Sequence, residues 1–207
     1  MYLPAPFAVT DPAPLHALLR AFPLATWSTV VDGQPCVNHI PFLLDAEAGE
    51  HGTLIGHVAR ANPVWRTPAP SIFVFQGPQA YVSPSWYPSK QEHGKAVPTW
   101  NYAVVHAHGR PEIVEDRQAL RAILERQTQA HETGLPHPWS IADAPAEFIE
   151  QLLGAIVGIH VPVTRWEAKF KLSQNRSAAD RAGVIAALGA AHPMAQAMTQ
   201  AGGGKPT

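Results

Sequence analysis

Two stretches of the sequence combine residue types that recognise an anion or a flat ring. The first is Ile55-Gly56-His57-Val58-Ala59-Arg60-Ala61-Asn62-Pro63-Val64-Trp65. Asn62 before Pro63 has the chemistry of a helix start, with asparagine as N-cap and proline at the first helical position. Such a start presents free N–H groups and the positive end of a dipole, both suited to a phosphate. Arg60 stands just before it, where a guanidinium could grip phosphate oxygens in bidentate fashion, and His57 could add a donor. A capped surface helix with a neighbouring arginine accounts for the same spacing. The second stretch is Tyr81-Val82-Ser83-Pro84-Ser85-Trp86-Tyr87-Pro88-Ser89-Lys90, followed by Val97-Pro98-Thr99-Trp100-Asn101-Tyr102. Large aromatics with polar tips can stack on a ring and hydrogen-bond to its edges. Packing of strands beside a proline-stiffened loop is the competing reading, and composition favours it.

Other candidates are weaker. His39, in His39-Ile40-Pro41-Phe42, alternates with Val37 and Leu43 and reads as an ordinary strand histidine. His106 and His108 share a strand face as two metal ligands would, but no third ligand is evident nearby, so no metal site is expected. Cys36 reads as an inert core residue. Ser28, Ser71 and Ser83 lack a glycine-flanked elbow, which disfavours a serine hydrolase. The most basic segment, Trp166-Glu167-Ala168-Lys169-Phe170-Lys171-Leu172-Ser173-Gln174-Asn175-Arg176, could close over an anionic ligand.

These residues need elements to position them. Asp11-Pro12 opens a short helix with Leu15, Leu18, Leu19 and Phe22 on one face. Strands follow at residues 24–31 and 35–44, joined by the hairpin signal Asp32-Gly33. Further strands are expected at 53–59, at 71–76 and 79–83 around a Gly77-Pro78 turn, and at 97–107 and 111–115. The period then becomes helical near 116–133, with Asp116 as N-cap, and near 145–153. Strand character returns at 155–163 and 164–172, around Pro162. A last helix is expected near 177–189, where Ser177-Ala178-Ala179-Asp180 resembles a capping box. Residues 191–207 read as a flexible tail. Hairpin-joined strands with late helices predict an α+β fold, a mostly antiparallel barrel with peripheral helices in a single domain over 1–190.

Composition narrows the function. The 207 residues carry 15 Lys plus Arg against 16 Asp plus Glu, a net charge of −1, so DNA is possible as a partner but is not supported by charge. No segment approaches the ~20 apolar residues of a membrane span. The first residues do not resemble a signal peptide, and the single cysteine excludes an intrachain disulfide. A cytoplasmic protein is expected.

The ordered set Tyr2-Leu3-Pro4, His39-Ile40-Pro41-Phe42, Gly56-His57-Val58-Ala59-Arg60-Ala61-Asn62-Pro63, Tyr81-Val82-Ser83-Pro84-Ser85-Trp86-Tyr87, Val97-Pro98-Thr99-Trp100-Asn101-Tyr102 and Lys169-Phe170-Lys171-Leu172-Ser173-Gln174-Asn175 resembles the PaiB family, described as FMN-binding negative transcriptional regulators. The resemblance covers residues 1 to about 185. It implies a flavin-binding split barrel with FMN at the interface of a homodimer. It places His39, Ile40, Pro41 and Phe42 beside the flavin and His57, Arg60 and Asn62 at its phosphate. Trp86, Tyr87, Trp100 and Asn101 are implied from the partner subunit, and Lys169, Gln174 and Asn175 from the late segment. Two functions follow: a regulator or flavin sensor, and, as the alternative, a flavin-dependent oxidoreductase using NAD(P)H. For the second, His39 and Tyr102 are the least poor acid–base candidates.

Overall fold

In the computed structural model, which describes residues 1–202, turn chemistry sets the first hairpin. Asp32 and Gly33 both have positive φ, 51° and 76°, the two-residue turn whose twist matches that of the flanking strands. After helix α1 (Pro12–Ala21), it joins β1 (Leu24–Val31) to β2 (Gln34–Pro41), with Val31 opposite Gln34 and Leu24 opposite Pro41. The chain continues through β3 (Leu43–Asp45), β4 (Thr53–Ala59), β5 (Ser71–Val82), α2 (Ser89–His93), β6 (Thr99–Gly109), β7 (Glu112–Val114), α3 (Arg117–Glu132), α4 (Ala146–Gly154), β8 (Ile156–Lys171), α5 (Ala178–Leu188) and α6 (Pro193–Gly202). The sheet has the order β2-β1-β5-β6-β8-β4-β3, with β7 also on β8. The β1–β2, β1–β5, β3–β4, β4–β8 and β7–β8 ladders are all antiparallel. The fold is α+β, an antiparallel split barrel with peripheral helices.

The chain forms two compact units. The terminal unit comprises Met1–Leu15, Gln76–Val105 and the described chain from Glu167 onward. The central unit comprises His16–Phe75 and His106–Trp166.

The central unit is organised by aromatic packing under the hairpin. Trp27 stacks on its cross-strand partner Phe73 at 5.4 Å, and Phe42 meets Phe73 edge-on at 5.1 Å. All three are buried. A second cluster joins Leu120 of α3 to Ile149 and Leu153 of α4. Asp116 caps α3 by accepting from the Ala119 N–H, as its position predicts.

The terminal unit is built around Val82, Tyr87, Leu172, Val184, Met194 and Met198. The tail predicted from residue 191 onward is instead α6 up to Gly202. Met194 and Met198, one helical turn apart, bury one face of it completely, and the sequence reading gave too little weight to that i, i+4 pair. Residues 203–207 of that predicted tail lie outside the described residues.

Two predicted breaks are also continuous strand. Gly77-Pro78 lies inside β5, because β1 pairs only with Ile72, Phe73 and Val74. Pro78 therefore lies beyond that ladder and withholds no N–H from it. Pro162 lies inside β8, opposite Thr53 at the first position of β4. In contrast, the predicted strand at 35–44 divides at Phe42, which turns into the core while its N–H donates to the Pro23 carbonyl.

Gly183 marks the tightest approach in the terminal unit. A Cβ there would lie 2.1 Å from the Trp86 carbonyl oxygen, so no side chain fits without moving backbone. Gly183→Ala is expected to destabilise the protein by about 1–3 kcal/mol, the usual range for overpacking. Gly154→Ala, where only the Arg117 guanidinium lies within 4 Å, is expected to be near neutral. Urea melts of the two variants check both.

Candidate functional site

The β1–β2 hairpin sorts its residues by strand parity. Leu24, Thr26, Ser28 and Val30 share a face with their partners Pro41, His39, Val37 and Pro35. That face is open: Leu24 is 60%, Val30 52% and Val37 55% exposed. His39 and Pro41 lie on it, both exposed. Ile40 and Phe42 point the other way, Ile40 half-buried and Phe42 in the core. Cys36 is half-exposed on β2 and accepts from Asn38 Nδ2 at 3.5 Å, rather than lying in the core as predicted.

The expected phosphate cradle is differently arranged. Asn62 does cap the next segment, accepting from the Val64 N–H at 3.0 Å, but that segment is one four-residue 3₁₀ turn, Pro63–Arg66. Asn62 Nδ2 donates to Asn38 Oδ1 at 2.7 Å. Arg60 is engaged on every nitrogen. Nε donates to the Gly154 carbonyl at 3.0 Å, Nη1 to Glu115 Oε1 at 2.7 Å and Nη2 to the Ile156 carbonyl at 3.1 Å. It ties β4 to the end of α4 and the start of β8, with three of its five N–H donors spent on its own chain.

His57 is oriented by Gln127. The glutamine donates through Nε2 to the Pro41 carbonyl at 3.2 Å, so its Oε1 faces His57 Nδ1 at 2.6 Å. With Gln127 Oε1 as the acceptor, Nδ1 carries the proton and Nε2 faces away from this contact. A concavity of about 530 Å³ in this unit, walled by Leu19, Arg20, Phe42, Leu44, Arg126 and His131, includes none of His57, Arg60 and Asn62.

The terminal unit gathers the late basic segment instead. Lys169 and Lys171 alternate onto one face of β8. Lys169 is only 8% exposed; its Nζ donates to the Tyr2 carbonyl at 3.1 Å and stands over the rings of Tyr2 and Tyr102 at 5.3 and 5.4 Å. Lys171 Nζ donates to Thr99 Oγ1 and to the Trp100 carbonyl. Burial lowers its pKa from the ordinary lysine value, and the charges of Lys169 and Arg176 lower it further. Trp100, 53% exposed, packs edge-on against Tyr81, 47% exposed, at 6.0 Å.

Several predicted contact residues of this unit are internal supports. Asn101 is fully buried, its Nδ2 donating to Ser173 Oγ at 2.9 Å and approaching Met198 Sδ at 3.5 Å. Tyr87 is 1% exposed, its hydroxyl without a partner and its ring under the Arg176 guanidinium at 4.9 Å. Gln174 folds back on its own turn, accepting from the Leu172 N–H at 2.6 Å and donating to the Phe170 carbonyl. Trp86 is half-buried against the core and Asn175 is exposed. Lys171, Arg176, Tyr2 and Thr99 were not singled out as candidates. The signal that could have found them was the alternation of Lys169 and Lys171 on a strand, which puts two cations on one face.

Asp180 locks the aromatic segment onto α5. The Ser177 side chain accepts from the Asp180 N–H, as in a capping box. The Asp180 carboxylate does not close the box, because it accepts from the Ser89 N–H at 3.1 Å and Oγ at 2.8 Å.

The sequence as a whole resembles known proteins. A family model described as "Putative FMN-binding domain" matches residues 1–165. The protein named "Protease synthase and sporulation protein PAI 2" of Bacillus subtilis is 32% identical, covering 91% of this chain and 89% of its own. An uncharacterised protein of Aspergillus fumigatus is 34% identical over 89% of each chain. Among solved structures, the FAD and heme binding protein from Mycobacterium smegmatis superposes with a TM-score of 0.62 at 22% identity, over 88% of this chain and 80% of that one. The conserved hypothetical protein Rv2991 of Mycobacterium tuberculosis gives 0.56 at 16% identity, over 84% and 92%. At these identities the two structures bear on the fold alone.

The Asp180 clamp gives a pH signature. Burial pushes its carboxyl pKa up, but hydrogen bonds from Ser89 and Ser177 and the charge of Arg176 outweigh that and hold it below the ordinary value of 3.8. A lowered folded pKa stabilises fully above the unfolded value and is lost as pH falls through the folded one. Wild-type stability is therefore expected to drop below about pH 4 more steeply than that of Asp180→Asn. Urea midpoints from pH 6 to pH 2.5 measure the difference, and parallel curves would refute the clamp.

Proposed function

Because the chain belongs to the PaiB family of FMN-binding split-barrel proteins, with FMN as cofactor, we propose that it is a negative regulator of transcription, or flavin sensor, acting as a homodimer. The observation that carries this reading is the open face of the β1–β2 hairpin. Strand β2 is an edge of the sheet, and the face carries Leu24, Val30, Pro35, Val37 and Pro41. Exposed apolar edges invite pairing and are normally covered. A second copy would cover this one, bringing His39 and Pro41 to the interface.

The chemistry of the chain's donors fits FMN. The terminal unit offers ammonium and guanidinium groups suited to a phosphate and exposed Trp100 and Tyr81 rings suited to a flat heterocycle. The central unit offers His39 on the open face, while Arg60 acts there as a structural tie. When bound, FMN supplies a ring able to accept a hydride or electrons. The side chains of this protein bind and orient that ring and shield it from water. The net charge of −1 argues that repression works through a small molecule or protein partner, since direct DNA contact relies on a basic excess.

An absorption spectrum of dialysed protein with added FMN, read together with a gel-filtration mass, tests the reading. Flavin bands that travel with a dimer are expected, and Val37→Lys should shift the mass to that of a monomer. A monomeric wild type would refute the dimer, and failure to take up FMN would refute the cofactor's role. Rapid bleaching of the bound flavin by NADH or NADPH would favour the oxidoreductase instead.

A further inference from the structure

Cys36 is the single cysteine of the chain, and a relay of polar contacts in the central unit ends on its sulfur. The Val64 N–H donates to Asn62 Oδ1 at 3.0 Å, which leaves Asn62 Nδ2 to donate to Asn38 Oδ1 at 2.7 Å. With Oδ1 of Asn38 taken as that acceptor, its Nδ2 faces Cys36 Sγ at 3.5 Å. A backbone N–H thus fixes the orientation of two amides in turn, and the second presents an N–H to a sulfur. Cys36 is half-exposed on β2, so small solutes reach it.

A second observation is independent of that relay. Thr29 lies directly opposite Cys36 across the β1–β2 ladder, so the two side chains share a face with Cβ atoms about 4.5–5.5 Å apart. Thr29 is 6% exposed, and its Oγ1 is buried with no hydrogen-bond partner among the described residues. Trp27 Nε1, on the same face and opposite Asn38, is buried without a partner as well. Native interiors seldom leave such groups unpaired, because each one loses its hydration and gains nothing in return. The reduced thiol leaves the Thr29 hydroxyl unsatisfied beside it. An oxygen carried by the sulfur extends the Cys36 side chain by one atom and supplies the acceptor that Thr29 lacks. The Asn38 N–H is already in place as a further donor.

We propose that Cys36 is a site of oxidative modification, where hydrogen peroxide converts the thiol to a sulfenic acid whose oxygen is held by the Thr29 hydroxyl and the Asn38 amide. The thiolate is the attacking species. Its sulfur forms an S–O bond to one peroxide oxygen and the O–O bond breaks. The other oxygen leaves as hydroxide and becomes water with the proton that the thiol gave up. The sulfur loses two electrons and the peroxide gains them. With no second cysteine in the chain, no intrachain disulfide follows, and the sulfenic acid persists until a small thiol reduces it. Neither step involves the flavin.

Full-length protein treated with hydrogen peroxide and then with dimedone, a reagent for sulfenic acids, tests this by intact mass and peptide mapping. One adduct is expected, at Cys36, and none in Cys36→Ser. The sulfenic acid should outlast that of the same chain unfolded in urea, where the sulfur has no fixed donors. Thr29→Val should shorten its lifetime about two- to tenfold, the worth of one hydrogen bond. Reduced Thr29→Val should unfold at no lower urea concentration than reduced wild type, because the hydroxyl it loses has no partner in that state. Thr29→Ser keeps the hydroxyl and should keep most of the lifetime. An unfolded chain that is labelled while folded wild type is not would overturn the site. An unchanged lifetime in Thr29→Val, or a reduced Thr29→Val that unfolds earlier, would overturn the part assigned to Thr29.

Discussion

The terminal unit depends on one buried polar contact, between Asn101 of β6 and Ser173 just after β8. Ser173 adopts φ of 62°, a left-handed conformation that is uncommon and unfavourable for a residue with a side chain. It is also 2% exposed, so its hydroxyl must find a partner inside the protein. The Asn101 amide supplies that partner. This contact lets the chain reverse sharply after Lys171, with the Arg176 N–H donating to the Ser173 carbonyl before Ser177 starts α5. Without the reversal, β8 would carry two cations to the end of a strand and the third would go elsewhere. Asn101 thus shapes a charged surface while itself being sealed from any ligand.

In the central unit, polar residues act as struts. Arg60 joins three segments, Asn62 pairs with Asn38, and Gln127 links His57 to the Pro41 carbonyl. Each satisfies a backbone or side-chain group, and those of Asn62, Gln127 and His57 are part-buried, where an orphaned group costs about 1–3 kcal/mol. These residue types serve anion binding equally well, which is why sequence spacing alone does not separate the two uses. The separation comes from which acceptors lie within reach. Arg60 meets a carboxylate and two carbonyls of its own chain, and Lys169 meets one carbonyl and two rings.

Much of the fold was legible in local patterns. Asp32-Gly33, the Asp116 cap and the leucines of α1 specify their elements through short-range chemistry, and each element stands where that chemistry places it. What the sequence hid depends on partners distant along the chain. Pro78 looks like a turn until one sees that the β1 ladder ends at Val74. Residues after 191 look frayed until Met194 and Met198 meet the unit's core. The same holds for the site. Lys169 was legible as a candidate because it lies in a basic stretch, whereas its burial between the Tyr2 and Tyr102 rings is a tertiary fact. The resemblance implies Asn101 and Tyr87 as contacts from a partner subunit, whereas within this chain both are buried.

The cations of the terminal unit are held by its own carbonyls and rings. Any anion that binds the folded state adds stability that grows with its concentration relative to its dissociation constant. Arg176 sits between the two ends of that linkage: its guanidinium covers the Tyr87 ring, and its charge helps keep Asp180 ionised. Asp180 in turn holds Ser89, and with it the end of the aromatic segment that begins at Tyr81. Arg176 therefore acts on the contact that fixes α5 to that segment. A protein with nearly balanced charge has little means of exerting control through DNA phosphates.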